Sequence, residues 1–298
     1  MTTTRVKPWH GVMTATALPL KADLSVDLDD YAEHCRWLVD RGCDGVVPNG
    51  SLGEYQTLSD EERARVVETA VAAVGGDRVI PGVAAYGALE ARRWAEQARD
   101  AGCPAVMLLP PNAYRADERT VVEHYREVAR AGLPIVAYNN PFDTRVDLTP
   151  ELLARLYAEG LVVAVKEFSG DVRRAYRIAE LAPGLDLLAG ADDVLLELAV
   201  AGAVGWVAGY PNALPRSCVA LYRAAVAGDL AVALPLYRAL HPLLRWDSRS
   251  VFVQAIKLSM DLAGRGGGPC RPPRLPLVPE EEAAVRAATE KVLAEGLG

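Results

Sequence analysis

No apolar stretch in the 298-residue chain approaches the ~20 residues that a membrane span requires, because charge, Gly or Pro interrupts every candidate window. Residues 1–7 carry charge and no apolar core, so no secretory leader is read and a cytoplasmic protein is expected. Positive charge is not in excess. The 32 Lys and Arg stand against 39 Asp and Glu, giving a net charge of −7, and no basic stripe invites nucleic acid. The five cysteines, Cys35, Cys43, Cys103, Cys218 and Cys270, show no CxxC spacing and read as free or buried thiols. The four histidines are dispersed without an i, i+4 pair, so no metal is expected. A GxGxxG fingerprint is missing after the first apolar run, which tells against an open dinucleotide-binding sheet. Lysine is scarce as well: only Lys7, Lys21, Lys166, Lys257 and Lys291.

What is present is an alternation of short apolar runs with amphipathic stretches. Runs at 11–20, 45–48, 79–83, 105–109, 134–139, 162–167, 185–189 and 205–208 predict eight strands. Between and after them, 27–41, 59–74, 89–101, 117–130, 149–159, 172–181, 194–201 and 216–227 predict eight helices. Ser59 and Glu62 spell a capping box, and Thr149-Pro150 places Pro at the first helical position. Eight βα units within about 230 residues predict an α/β protein of (β/α)8 TIM-barrel type. The expected domains are a catalytic barrel over 9–228 and a C-terminal helical extension over 229–298, packed on it. In that extension 230–244, 250–262 and 280–295 read as helices, and the Gly/Pro-rich stretch 264–279 reads as an extended crossing.

Four of the lysines fall where solvated lysines belong: the N-terminal arm, a loop, and the tail helices that carry Lys257 and Lys291. Lys166 closes the run Val162-Val163-Ala164-Val165-Lys166 instead. Alternation puts Val162, Ala164 and Lys166 on one face and Val163 and Val165 on the other. If the first face is the barrel interior, Lys166 stands at the C-terminal mouth, where burial favours the neutral, nucleophilic amine. A structural ion pair with Glu167 or another acid at the strand end is the alternative. Tyr138 ends the preceding strand and is placed to share that mouth, as a proton shuttle or as core packing. The loop Asn49-Gly50-Ser51-Leu52-Gly53-Glu54 offers backbone N–H groups and the Ser51 hydroxyl to a carboxylate, or is a plain turn.

Together these residues resemble the dihydrodipicolinate synthase / N-acetylneuraminate lyase family. The likeness runs in order from Trp9 to about Leu277, through Gly50-Ser51-Leu52-Gly53-Glu54, Tyr138-Asn139-Asn140-Pro141, Lys166-Glu167, Leu188-Ala189-Gly190-Ala191-Asp192-Asp193 and Gly205-Trp206-Val207. The resemblance implies a homotetramer or homodimer with no cofactor. It implies Lys166 as the Schiff-base lysine, Tyr138 as proton shuttle and Ser51 with Gly50, Leu52 and Gly53 holding the 2-oxo-acid carboxylate. Asn140, Gly190 and Val207 complete the implied pocket. Two departures bear on substrate: Leu52 replaces the second hydroxyl of the synthase loop, and Asp143 stands where the synthase has an arginine, with Arg145 displaced nearby. A closer likeness is to the 1-pyrroline-4-hydroxy-2-carboxylate deaminase subgroup of hydroxyproline catabolism, shared in Gly205-Trp206-Val207-Ala208-Gly209 and Arg271-Pro272-Pro273-Arg274-Leu275-Pro276-Leu277.

That likeness implies an imine between Lys166 and C2, loss of the C4 hydroxyl, release of ammonia and formation of 2,5-dioxopentanoate. The alternatives are a pyruvate-dependent aldolase or synthase, a sugar-acid dehydratase on the same imine, and a non-catalytic barrel that binds a 2-oxo acid.

Overall fold

A computed structural model describes residues 7–298. The leader reading of residues 1–7 therefore falls, except for Lys7, outside the described residues. Seven strands form one parallel sheet: β1 (Gly11–Ala15), β2 (Gly45–Val47), β3 (Val106–Leu108), β4 (Ile135–Asn139), β5 (Ala164–Glu167), β6 (Asp186–Ala189) and β7 (Gly205–Ala208). Their spatial order is β2-β1-β7-β6-β5-β4-β3.

The eighth stave is residues 79–83, which join the two open edges through parallel bridges Val46–Val79 and Gly82–Met107. The amides of Ile80 and Gly82 donate to Val46 and Pro48, and those of Val83 and Met107 tie the segment to β3. Pro81 has no N–H and interrupts the ladder, so the stave pairs by single bridges instead of a continuous strand. The result is a closed (β/α)8 barrel with a C-terminal helical extension.

Helices wrap the barrel: α1 (Leu28–Asp40), α2 (Asp60–Val74), α3 (Ala88–Asp100), α4 (Glu118–Ala129), α5 (Pro141–Thr144), α6 (Pro150–Ala158), α7 (Arg173–Leu181), α8 (Leu195–Val200) and α9 (Pro215–Val226). The extension adds α10 (Leu230–Leu244), α11 (Phe252–Leu262) and α12 (Pro279–Ala294). The capping box at Ser59 and Glu62 is formed in both directions, and Thr149 caps α6. The single turn α5, unforeseen in the sequence, is capped by Asn140 with Pro141 at its start.

Strand alternation divides the core in two. Met13, Val47, Ile80, Met107, Val136, Ala164, Leu188 and Val207 fill the barrel interior. Val12, Val46, Val106, Ala137, Val165 and Trp206 face the helices. Both faces are dry, hence the continuous apolar runs. The expected alternation fails at one point: Val162 packs in the outer layer and Val163 against the inner one. The strand begins at Ala164, so residues before it do not follow its phase.

One lysine expectation is overturned. Lys257 on α11 is buried, not solvated, and donates to Glu54 Oε1 at 2.8 Å and to the Pro269 carbonyl at 2.7 Å. Glu54 Oε2 also accepts the Arg271 amide at 2.9 Å. The crossing 264–278 is thereby strapped to the loop that carries Ser51. An apolar helix face alone does not reveal that its one cation meets a carboxylate more than 200 residues away.

Candidate active site

Parallel register places Tyr138 of β4 directly beside Lys166 of β5. Both side chains point into the barrel at its C-terminal mouth, where a cavity of about 460 Å³ opens. Lys166 Nζ lies 4.3 Å from the centre of the Tyr138 ring and 5.6 Å from that of Phe168. Lys166 is buried, and desolvation lowers its pKa, partly opposed by Asp247 and Asp192. A buried amine without an ion-pair partner tends toward the neutral form, and Lys166 forms no ion pair among the described residues. Glu167, the suspected partner, turns the other way. It accepts hydrogen bonds from Asn139 Nδ2 at 3.1 Å and the Ser169 amide at 2.6 Å, and it pairs with Arg174 at 3.6 Å.

Tyr138 is also buried; desolvation, then the charge of Asp247, pushes its phenol well above the ordinary range. It stays protonated, able to donate. Asn140 Nδ2 donates to Tyr138 Oη at 3.3 Å and to Asp143 Oδ2 at 2.9 Å. That link couples the shuttle candidate to a carboxylate on the cavity wall.

Gly50, Ser51, Leu52 and Asn140 line the cavity, as does Asp143. The Ser51 hydroxyl makes no hydrogen bond to Tyr138 among the described residues. Three sequence candidates do not line the cavity. Gly53 packs beneath the loop, where an added Cβ would stand 3.2 Å from the Thr16 carbonyl oxygen. Val207 belongs to the dry interior layer. Gly190 lies behind the lysine: a Cβ there would fall 2.5 Å from the Glu167 carbonyl oxygen and 3.0 Å from Lys166 Cγ. Gly190 thus leaves room for the lysine stem. Arg145 lies outside, in a separate depression with Asn112 and Tyr114.

Sequence reasoning missed the contribution of the C-terminal extension. Asp247, Ser248, Arg249, Ser250, Phe252 and Arg274 all line the cavity. Arg249 stacks 4.4 Å over Trp246 and Arg274 5.5 Å over Phe252, giving the rim two cations. The only cue in the sequence is a polar cluster, Asp247 to Ser250, between two apolar helices; it marks a loop but not where the loop goes.

Behind the lysine, Asp192 accepts from Trp206 Nε1 at 2.9 Å and from the amides of Gly209 and Tyr210 at 3.1 and 2.9 Å. Among the described residues Asp247 receives a single bond, from the Asp192 amide to Oδ2 at 3.3 Å. Burial raises both carboxyls, that of Asp247 to about 7 against the pull of Lys166. The site can therefore present a neutral amine, a phenol and an acid of near-neutral affinity to one small molecule. No group of His, Cys, Asp and Glu suited to a metal occurs among the described residues, and no helix among them is long and apolar enough to cross a membrane.

The family model described as the dihydrodipicolinate synthetase family matches residues 8–292. The chain is 36% identical over 287 residues to a 4-hydroxy-tetrahydrodipicolinate synthase of Methanothrix thermoacetophila, covering 95% of this chain and 97% of that one. It is 34% identical over 280 residues to an uncharacterised DapA-like lyase of Halobacterium salinarum, covering 93% and 92%. The crystal structure of dihydrodipicolinate synthase from Aquifex aeolicus superposes with a TM-score of 0.90 at 28% identity, covering 97% and 98%. None of these names carries the deaminase activity implied by the closer likeness. With the sequence match spanning nearly its whole length and the same barrel beneath it, this chain belongs to the dihydrodipicolinate synthetase family.

Proposed function

We propose that this enzyme is a lyase or synthase that forms an imine between Lys166 and C2 of a small 2-oxo acid, pyruvate first among them, and joins it to or releases it from an aldehyde. The observation that carries this reading is Lys166 itself: buried, without an ion pair among the described residues, and held beside Tyr138 at the cavity floor. A simple carboxylate-binding site is better served by arginine, whose charge survives burial. An amine that gives up its charge is suited to attack a carbonyl carbon. Gly50, Ser51 and Leu52 are the assigned carboxylate cradle, Tyr138 the proton donor, and Asn140 the residue that orients its hydroxyl. The imine withdraws electrons from C3, and the resulting enamine makes or breaks the C3–C bond. The relatives named as synthases support carbon–carbon chemistry. The rim arginines Arg249 and Arg274 suit an anionic partner substrate.

Incubation with pyruvate and borohydride tests this. One reduced adduct is expected, mapping to Lys166; an adduct elsewhere, or none with any 2-oxo acid, ends the reading.

A second reading, conversion of 1-pyrroline-4-hydroxy-2-carboxylate to 2,5-dioxopentanoate and ammonia, rests on Asp143. This acid lines the cavity; the resemblance implies an arginine at its place in the synthase, and an acid there repels the carboxylate of a semialdehyde. Ammonia release from the cyclic imino acid supports this second reading, whereas a new carbon–carbon bond from pyruvate and an aldehyde supports the first.

A further inference from the structure

The extension places one carboxylate inside the barrel mouth, and the imine chemistry assigned above leaves a role for it. We propose that Asp247 is the acid–base residue of imine formation, taking the ammonium proton of Lys166 and returning it to the departing C2 oxygen. This inference rests on the lysine-imine reading.

Three observations carry it. Asp247 is buried yet lines the same cavity as Lys166. Its neighbour Asp192 is occupied by an indole and two backbone amides, whereas among the described residues Asp247 has one hydrogen bond, to Oδ2, and none to Oδ1. Gly209 makes the space: a Cβ there would stand 2.6 Å from Asp247 Oδ1. The groups facing Asp247 are Lys166 from β5, Tyr138 from β4, Asp192 and Asp193 after β6, and Tyr210 after β7. Lys166 is the one cation among them. Tyr138 holds its proton too tightly to act as a base near neutrality, while the Asp247 carboxyl, raised to about 7, exchanges one readily.

The step balances. Lys166 ammonium passes a proton to the Asp247 carboxylate across a water, leaving an amine and an acid. The nitrogen lone pair forms the bond to C2 while the carbonyl pair moves to oxygen. That oxygen takes a proton from the new ammonium by way of the Tyr138 hydroxyl. Asp247 then protonates the C2 hydroxyl, the C–O bond breaks, water leaves and the nitrogen pair closes C=N. The product iminium carries one positive charge opposite the Asp247 carboxylate, as the ammonium did at the start. Nothing is oxidised or reduced.

The test uses pyruvate as probe on the intact wild-type protein and on Asp247→Asn and Asp247→Ala. Two rates are read across pH: borohydride trapping at Lys166, and exchange of the pyruvate methyl hydrogens in heavy water. The expected result is a loss of about 100-fold in both variants, disappearance of the inflection near pH 7, and partial rescue of Asp247→Ala by formate. A merely structural role would not give rescue by formate. Rates within twofold of wild type, or an inflection retained in a variant, overturn the proposal. If the variants do not fold, the wild-type profile decides, and a flat trapping rate through neutrality also overturns it. Failure of wild type to trap pyruvate or any 2-oxo acid would remove the imine reading and this inference together. Trapping that is indifferent to Asp247 would remove this inference alone.

Discussion

At the scale of single residues, the site depends on whether each polar group keeps its charge once water is gone. Lys166 and Asp247 are both buried and shifted toward neutrality, in opposite directions on the pH axis. For Asp247 burial sets the sign. Its carboxyl is raised from 3.8 to about 7, so the native state holds its proton more tightly than the unfolded chain. The corresponding stability is complete below about pH 4 and is lost as pH rises through 7. Melting temperatures at pH 5 and pH 8 should therefore converge in Asp247→Asn relative to wild type; an unchanged gap would contradict the assignment. For Tyr138→Phe, which removes the hydroxyl and keeps the ring against Lys166, turnover should fall about 10²–10⁴-fold with folding intact. Gly190→Ala should weaken trapping at Lys166, because the methyl group meets the Glu167 backbone and the lysine stem. The positions of Lys166 and Tyr138 at neighbouring strand ends were legible from the sequence, although a structural ion pair remained open for the lysine until Glu167 was seen to turn away. Gly190, Gly53 and Val207 were legible as neighbours of the site, but their distance from the cavity depends on how the strands curve.

Elements decide what those residues face. The buried pair Lys257–Glu54 ties α11 to the loop carrying Ser51, and Arg271 adds a second fastening to Glu62 at the start of α2. Lys257→Met leaves the Glu54 carboxylate buried without its cation, which typically costs about 3–5 kcal/mol. Chemical denaturation should show that loss, while the double variant Lys257→Met/Glu54→Gln should recover part of it. If the single variant is as stable as wild type, the pair is not the fastening described. Helix and strand existence was readable from periodicity, and capping from Ser59, Glu62, Thr149 and Pro150. Residues 79–83 read as an ordinary strand, but Pro81 reduces it to two bridges. The phase of β5 was readable only from Ala164 onward, because alternation has no meaning before pairing begins.

The whole molecule is a barrel whose mouth is completed by a segment from the far end of the chain. Among the described residues Tyr86, Leu89 and Tyr114 are exposed apolar side chains; Tyr86 and Tyr114 border the two depressions that share Asn112. The resemblance implies a homotetramer or homodimer, and we propose that it covers this surface. Sedimentation should give a multiple of 32.0 kDa, and Tyr86→Asp should shift it toward the single chain. A wild-type protein that sediments as one chain at all concentrations would end it.

By itself the sequence determined the eight βα units and the adjacency of the lysine and tyrosine strand ends, while which face turns inward stayed conditional. Periodicity, capping and strand endings are local, and a parallel barrel converts adjacent strands into adjacent side chains. Only the tertiary structure decided that Asp247, Arg249 and Arg274 belong to the same cavity, that Lys257 is buried, and that Glu167 turns away from Lys166. Those outcomes depend on contacts between segments far apart in the chain, for which no spacing rule exists, and on which charges lose their water when the segments meet.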